Sequence, residues 1–186
     1  KNQIKQIGNL VNEFSDFARM PKPILKDNDI VLIFKDNIKL LGNIDETISI
    51  NLKYNLEKII LNSDQEQLSR VFFNLIKNSI ESIQQKSEDN KDFFKEVSIE
   101  INEFDNQINI IIIDNGIGFG IFADNIKDII NPYFTTKKNG TGLGLSIVSK
   151  IINDHNGKIE FIPIDNGAKV SIDFKLDGIR NINSWW

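Results

Sequence analysis

The sequence contains no cysteine, which excludes disulfides and any thiolate-held metal or cluster. A chain without thiols fits a reducing, cytoplasmic setting. It has one histidine, His155. With no Cys or second His beside it, His155 reads as a capping or structural residue at a helix C-terminus, where a partly charged imidazole is favoured. No apolar run approaches the ~20 residues of a membrane span, and no signal peptide stands at Lys1. A net charge of -4 argues against nucleic acid as a partner, since nucleic acid selects basic surfaces. The chain has no initiator Met and no internal repeat. It reads as a fragment, and any membrane anchor is expected only in upstream segments. What remains is 186 residues with 40% hydrophobic content, enough for one domain with its own core plus an appendage.

Hydrophobic periodicity organises that chain. Ile4, Ile7, Val11, Phe14 and Ala18 alternate at three and four residues, a heptad seam. Pro21 and Pro23 end it, because proline cannot continue the hydrogen-bond ladder. The segment is too short to be stable alone; half of a helical hairpin used for dimerisation is the reading preferred over a helix folded back on the domain. Ile30 to Leu41 reads as a helix with Gly42 at its C-terminal side. Ile48, Ile50 and Leu52 alternate as a strand, and Ile59 to Leu61 is a second short one. Ser63 with Glu66 has the form of a capping box for a helix to about Gln85. Its buried stripe is Leu68, Val71, Phe72, Leu75, Ile76 and Ile83, with Asn74, Asn78 and Glu81 on a neighbouring stripe. Ser87 to Asp92 reads as a loop. Val97, Ile99 and Ile101 make a strand, and Ile108 to Ile113 another, expected to be buried on both faces or nearly so. Helices follow at Phe122 to Ile130 and Leu143 to Asn153, the latter closed by Asn156-Gly157. Ile159 to Ile162 and Val170 to Phe174 finish the sheet around a turn at Asp165-Asn166-Gly167. The pattern predicts an α+β fold: a mixed, mostly antiparallel sheet with helices on one face. The tail from Asp177 to Trp186 has no period.

Several clusters carry chemistry. Asp114 ends the apolar strand and precedes Gly116 and Gly118. An ionised carboxylate only accepts hydrogen bonds; the exocyclic amine of a purine is a matching donor, and glycines let a flat ring lie against backbone. An ordinary Asp-Gly turn fits as well. Gly140, Gly142 and Gly144 alternate before an amphipathic helix, where free N–H groups and the helix dipole suit phosphates. A plain flexible loop fits equally, and the spacing is neither a P-loop nor a dinucleotide fingerprint. Asn78 can offer an amide oxygen to Mg²⁺, which keeps several waters, and Asn74, one turn earlier, can orient such a water. An exposed polar helix face is the bland alternative. In Pro132-Tyr133-Phe134-Thr135-Thr136-Lys137-Lys138, Lys137 or Lys138 can reach a terminal phosphate and the aromatic pair can anchor a mobile lid, or the segment is a surface turn.

The order of these segments is specific. Asn74-Leu75-Ile76-Lys77-Asn78, then Asp114-Asn115-Gly116-Ile117-Gly118, then Pro132 to Lys137, then Gly140-Thr141-Gly142-Leu143-Gly144-Leu145 resembles the N, G1, F and G2 boxes of sensor histidine kinases. The likeness covers residues 24–176. Val11 to Pro23 resembles the second dimerisation helix and linker of nitrogen-regulation kinases of the NtrY type.

The resemblance implies a two-layer α/β sandwich of the Bergerat (GHKL) type over residues 24–176. It implies a partial dimerisation and phosphotransfer hairpin with linker over 1–23, and a tail over 177–186. It implies ATP and Mg²⁺ as ligands. Asp114 would meet the adenine amine, with Gly116 and Gly118 beside it. Asn78 would hold Mg²⁺, with Asn74 as the other catalytic residue. Thr136, Lys137, Gly140, Thr141, Gly142, Leu143, Gly144 and Leu145 would complete the ATP site. The expected activity is transfer of the γ-phosphoryl group to a histidine on a missing helix, then to a response regulator, in a full-length homodimer that reaches the inner membrane, if at all, through upstream segments. The acceptor-histidine box is absent, so the fragment alone is not expected to phosphorylate itself. Related chaperone and topoisomerase ATPases carry a Glu base where this chain has Asn74. Ala168 follows Gly167 where many relatives have Thr, removing one hydroxyl near adenine, and Glu81 stands where some have a basic residue. Two alternatives are a non-catalytic nucleotide-binding regulatory module and a GHKL-type ATPase.

Overall fold

A computed structural model of the chain describes residues 15, 19–90, 92–119, 126–135 and 140–176. The elements are β1 (Lys26–Asp29), α1 (Ile30–Leu41), β2 (Ser49–Tyr54), β3 (Ile60–Ser63), α2 (Gln65–Asp89), β4 (Glu96–Phe104), β5 (Gln107–Asp114), α3 (Gly144–Asp154), β6 (Gly157–Ile164) and β7 (Gly167–Lys175). The main sheet runs β2-β4-β5-β7-β6. Only β2 and β4 are parallel; the other three pairings are antiparallel. The α+β expectation therefore holds.

Alternation sets which side of the sheet is covered. Val97, Ile99 and Ile101 of β4, Ile108, Ile110 and Ile112 of β5, and Val170, Ile172 and Phe174 of β7 point to the helix side and are buried. They meet the stripe Leu68, Val71, Phe72, Leu75, Ile76 and Ile83 of α2, and Ile147, Val148, Ile151 and Ile152 of α3. Phe34 of α1 stacks on Phe72 at 3.9 Å between ring centroids. Each such side chain contributes ~1.5–3 kcal/mol on burial, so this one face supplies most of the cohesion. The opposite face of β5 is only half-buried. The expectation of burial on both faces fails because the three helices among the described residues lie on one side, and the apolar run Ile110 to Ile113 serves one face fully and the other in part.

The β4–β5 hairpin turns at Asp105 and Asn106, with φ of 47° and 60°. Positive φ at both central residues matches the right-handed twist of the flanking strands, and Asp and Asn tolerate it.

Other boundaries moved. The cap of α2 is Asp64, whose side chain accepts the Gln67 amide. Ser63 instead ends β3, fully buried, and its hydroxyl donates to the Leu61 carbonyl. A buried strand end cannot turn its hydroxyl outward, so capping falls to the next residue. Ser87 to Asp89 continue α2 rather than forming a loop; Ser87 Oγ donates to the Ile83 carbonyl at 2.8 Å, which satisfies the hydroxyl within the helix. The β1 strand, Lys-Asp-Asn-Asp, was not expected, since none of its residues favours strands. It forms by pairing with β3 in a separate two-stranded sheet. Gly42 caps α1 with φ of -62°, so no left-handed turn is needed there. Of the helix expected at Phe122 to Ile130, the described part, residues 126–130, is a 3₁₀ turn. Residues 120–125 lie outside the described residues, as do the seam Ile4, Ile7, Val11, Phe14 and Ala18, the residues Thr136, Lys137 and Lys138, and the tail 177–186. Among the described residues, no helix is long and apolar enough to cross a membrane.

His155 is the C-cap residue of α3, and its backbone amide meets the Ile151 and Ile152 carbonyls. It is buried; Nδ1 lies 2.8 Å from the Ile151 carbonyl, and the Asp64 amide donates to Nε2 at 3.0 Å. A nitrogen that accepts an amide N–H carries no proton, so the ring is the Nδ1–H tautomer and not a charged cap. Asp64 then reaches outward: its Oδ2 accepts the Ile24 amide at 2.8 Å, and Gln67 Nε2 donates to the Pro21 carbonyl at 3.1 Å. These bonds tie the segment after the prolines to the start of α2.

Burial alone would raise the Asp64 pKa, but the amide hydrogen bonds from Ile24, Gln67 and Glu66, together with the nearby His155, hold it below the ordinary 3.8. A depressed native pKa means stability that is present above the ordinary range and lost as pH falls through the native value. Asp64→Ala is expected to cost ~1 kcal/mol at neutral pH, as N-cap losses do. Urea unfolding at stepped pH should show the gap to wild type closing on acidification.

Candidate functional site

The site grows from the end of β5. Asp114 is 5% exposed and is flanked in register by Val97 of β4 and Ala168 of β7. Its Oδ1 accepts the Gly116 amide at 3.0 Å and the Ser82 hydroxyl at 3.4 Å. The Ser79 hydroxyl and the Ala168 amide also bond the carboxylate. Burial raises its pKa above the ordinary value, and these four donors offset that only in part. The carboxylate is thus oriented from two sides, by hydroxyls of α2 and by backbone of the sheet.

Three backbones converge here, and glycine is what lets them. A Cβ on Gly116 would come within 2.6 Å of the Ser82 carbonyl carbon in α2. Gly118 has φ of 68° and faces the Gly167 carbonyl; Gly167 has φ of 126° and abuts Asp114 and Asn115. The Ile117 amide donates to Ser82 Oγ at 3.1 Å, which closes the loop onto the helix.

The second glycine cluster packs on the aromatic segment. The Tyr133 amide donates to the Gly142 carbonyl at 3.1 Å. Gly142 has φ of 71°, and a Cβ there would strike the Tyr133 backbone. Leu143 is fully buried and anchors the start of α3, and Thr141 Oγ1 accepts its amide at 3.4 Å. No side chain caps α3. Among the described residues, none outside its own helix and chain neighbours places an atom within 4 Å of where a Cβ on Gly144 would stand. An uncapped helix start beside open space is suited to an anion. Leu145 and Gly140 flank it, half-buried and exposed. Asn74 and Asn78 are half-buried on α2, one turn apart.

Sequence reasoning missed Ser79 and Ser82. Both sit on α2 within one turn of Asn78, at a spacing of three, which puts them on one face. That spacing was the available signal, but small polar residues on a helix carry no chemistry until a carboxylate is known to face them.

Residues 63–178 match the family described as histidine kinase-, DNA gyrase B- and HSP90-like ATPase. The nitrogen regulation protein NtrY of Azorhizobium caulinodans is 32% identical over 95% of this chain and 23% of its own length. The chain thus spans about a quarter of the length of the curated relatives it matches. Among solved structures, the nucleotide-free catalytic domain of histidine kinase ThkA superposes with a TM-score of 0.69 at 22% identity, covering 81% of this chain and 95% of that one. ThkA in complex with the response regulator TrrA gives 0.73 at 19% identity over 95% and 49%. At such identities the structural likeness is one of fold. The chain belongs to the histidine kinase-, DNA gyrase B- and HSP90-like ATPase family.

The two glycine classes predict opposite outcomes. Gly116→Ala should cost more than ~2 kcal/mol, since backbone must shift to admit the methyl. Gly144→Ala, facing open space, should leave the fold within ~1 kcal/mol of wild type. Thermal unfolding of the two variants checks this.

Proposed function

We propose that this chain is the ATP-binding catalytic part of a two-component sensor histidine kinase. Residues 24–176 form the nucleotide-binding unit, and 1–23 the end of a dimerisation hairpin with its linker. The observation that carries this is the buried, multiply held Asp114 at the end of β5, set in a family named for ATPases. A carboxylate held in that position only accepts hydrogen bonds, and the adenine 6-amino group is a matching donor.

The remaining parts follow from their chemistry. The amides of Gly144 and Leu145 at the uncapped start of α3 receive phosphate oxygens, with Gly140, Thr141, Gly142 and Leu143 shaping the approach. Thr136 and Lys137 remain assigned to the same end on the resemblance alone. Among the described residues, no group of three or more His, Cys, Asp or Glu can hold a metal ion. The Asn78 carboxamide oxygen would hold Mg²⁺, a hard cation that takes oxygen ligands and keeps several waters. Bound there, Mg²⁺ offsets phosphate charge.

Phosphoryl transfer needs mainly positioning and charge neutralisation. An imidazole nitrogen of the acceptor attacks the γ-phosphorus; an N–P bond forms, the bridging P–O bond breaks, and ADP leaves. His155 is not that acceptor, since it is buried with both nitrogens engaged. It is the chain's only histidine, so the acceptor belongs to another segment. Asn74 is a carboxamide and cannot take a proton from water, which favours transfer over hydrolysis. The ThkA–TrrA complex supports a response regulator as the onward partner of a full-length homodimer.

Two tests bear on this reading. Mixed with a separate hairpin bearing an acceptor histidine, the chain should label that histidine from γ-labelled ATP in Mg²⁺. Asn78→Ala should reduce labelling at least ~10-fold, as loss of one metal ligand does. Steady hydrolysis by the chain alone, without labelling, would assign it to the ATPases instead. The second test is acidification. Because burial raises the Asp114 pKa, its ionised form costs the empty fold stability, a cost that disappears as pH falls through the raised value. The same protonation removes the acceptor for adenine. Titration calorimetry and thermal melts should therefore show ATP affinity falling at a pH where the melting temperature has not yet dropped.

A further inference from the structure

Lys86 lies in the last turn of α2 and is not among the residues assigned above to ATP. Its Nζ donates to the Asn115 carbonyl at 2.7 Å and stands 4.8 Å from the centroid of the Phe93 ring. The Asn115 carbonyl belongs to the same peptide unit as the Gly116 amide, and that amide donates to Asp114 Oδ1 at 3.0 Å. One peptide group therefore separates a cation from the carboxylate. An ammonium on the carbonyl polarises the peptide and strengthens donation by its N–H. The ring face and the C-terminal end of the helix dipole hold the cation in place.

The Asn115 side chain braces the opposite side of this unit. Its Oδ1 accepts the Glu96 amide at 3.0 Å, and its Nδ2 donates to the Phe94 carbonyl. The peptide between Asn115 and Gly116 is thus fixed by Lys86 at its carbonyl, by Asp114 at its amide and by the segment before β4 through the side chain.

We infer that Lys86 is a positioning residue for base recognition, acting on Asp114 through the Asn115–Gly116 peptide without touching the nucleotide. The inference rests on the reading of Asp114 as the adenine acceptor. It separates Lys86 from a merely structural lysine, because an effect routed through Asp114 concerns only the purine 6-amino group.

The test compares ATP with purine-riboside triphosphate, which differs only in lacking that amine, by titration calorimetry on wild type, Lys86→Met and Lys86→Arg. Wild type should prefer ATP, since a site built to bond an amine rejects the analogue lacking it. Lys86→Met should lose ATP affinity about three- to tenfold, the range of one hydrogen bond, while affinity for the analogue stays within twofold or so. Lys86→Arg, which keeps a cationic donor, should retain the wild-type preference. Equal weakening for both nucleotides in Lys86→Met, or unchanged ATP affinity, overturns the inference and leaves the adenine site standing. If wild type binds ATP and the analogue equally, or binds neither, the reading of Asp114 falls, and the Lys86 inference with it.

Discussion

Everything at this site is arranged around the cost of keeping one carboxylate out of water. Asp114 ends the central strand of a sheet whose helix side is fully packed. An isolated charge there would be neutralised or expelled. Hydroxyls of Ser79 and Ser82 from α2, and amides of Gly116 and Ala168, supply the donors that retain it. Those donors can reach it only because strand, helix and hairpin approach at contact distance, and that approach is what Gly116, Gly118 and Gly167 permit. The glycines usually read as room for a ligand serve the protein's own packing first.

The same economy of parts appears in α2 and α3. One stripe of α2 builds the core and carries Ser79 and Ser82 in line with it, and the adjoining stripe carries Asn74 and Asn78, so its packing fixes the bearing of the site. α3 begins at the open glycine cluster and ends at His155. The ring of His155 accepts the Asp64 amide, and the Asp64 carboxylate accepts the Ile24 amide. A continuous chain of bonded groups thus runs from the end of α3 to Ile24, the residue after Pro23.

Much of this was legible without coordinates. Period-two alternation located β4, a nearly continuous apolar run located β5, and the three–four stripe located α2, because burial leaves its imprint on residue choice. Four short motifs in order carried the family. Signals failed where two roles competed for one residue. Ser63 has the chemistry of a cap, but strand burial claimed it and Asp64 took the task. Ser87 to Asp89 looked like a loop because polarity was read as disorder, although a polar helix end is stable when it continues a packed helix. β1 has no strand propensity at all and exists only through its partner β3.

Local chemistry and spacing, which the linear order carries, determined the fold class, the buried stripes and the identity of Asp114, Asn78 and the glycines as candidates. Only the tertiary structure decided that Asp114 is held by Ser79 and Ser82, that Gly144 faces open space while Gly116 faces a helix, that His155 is locked inside, and that Lys86 reaches the peptide next to the carboxylate. The reason is physical. Periodicity records which side of an element is dry, whereas the direction of a hydrogen bond between residues tens of positions apart depends on how the elements cross. No pattern along the chain encodes that crossing.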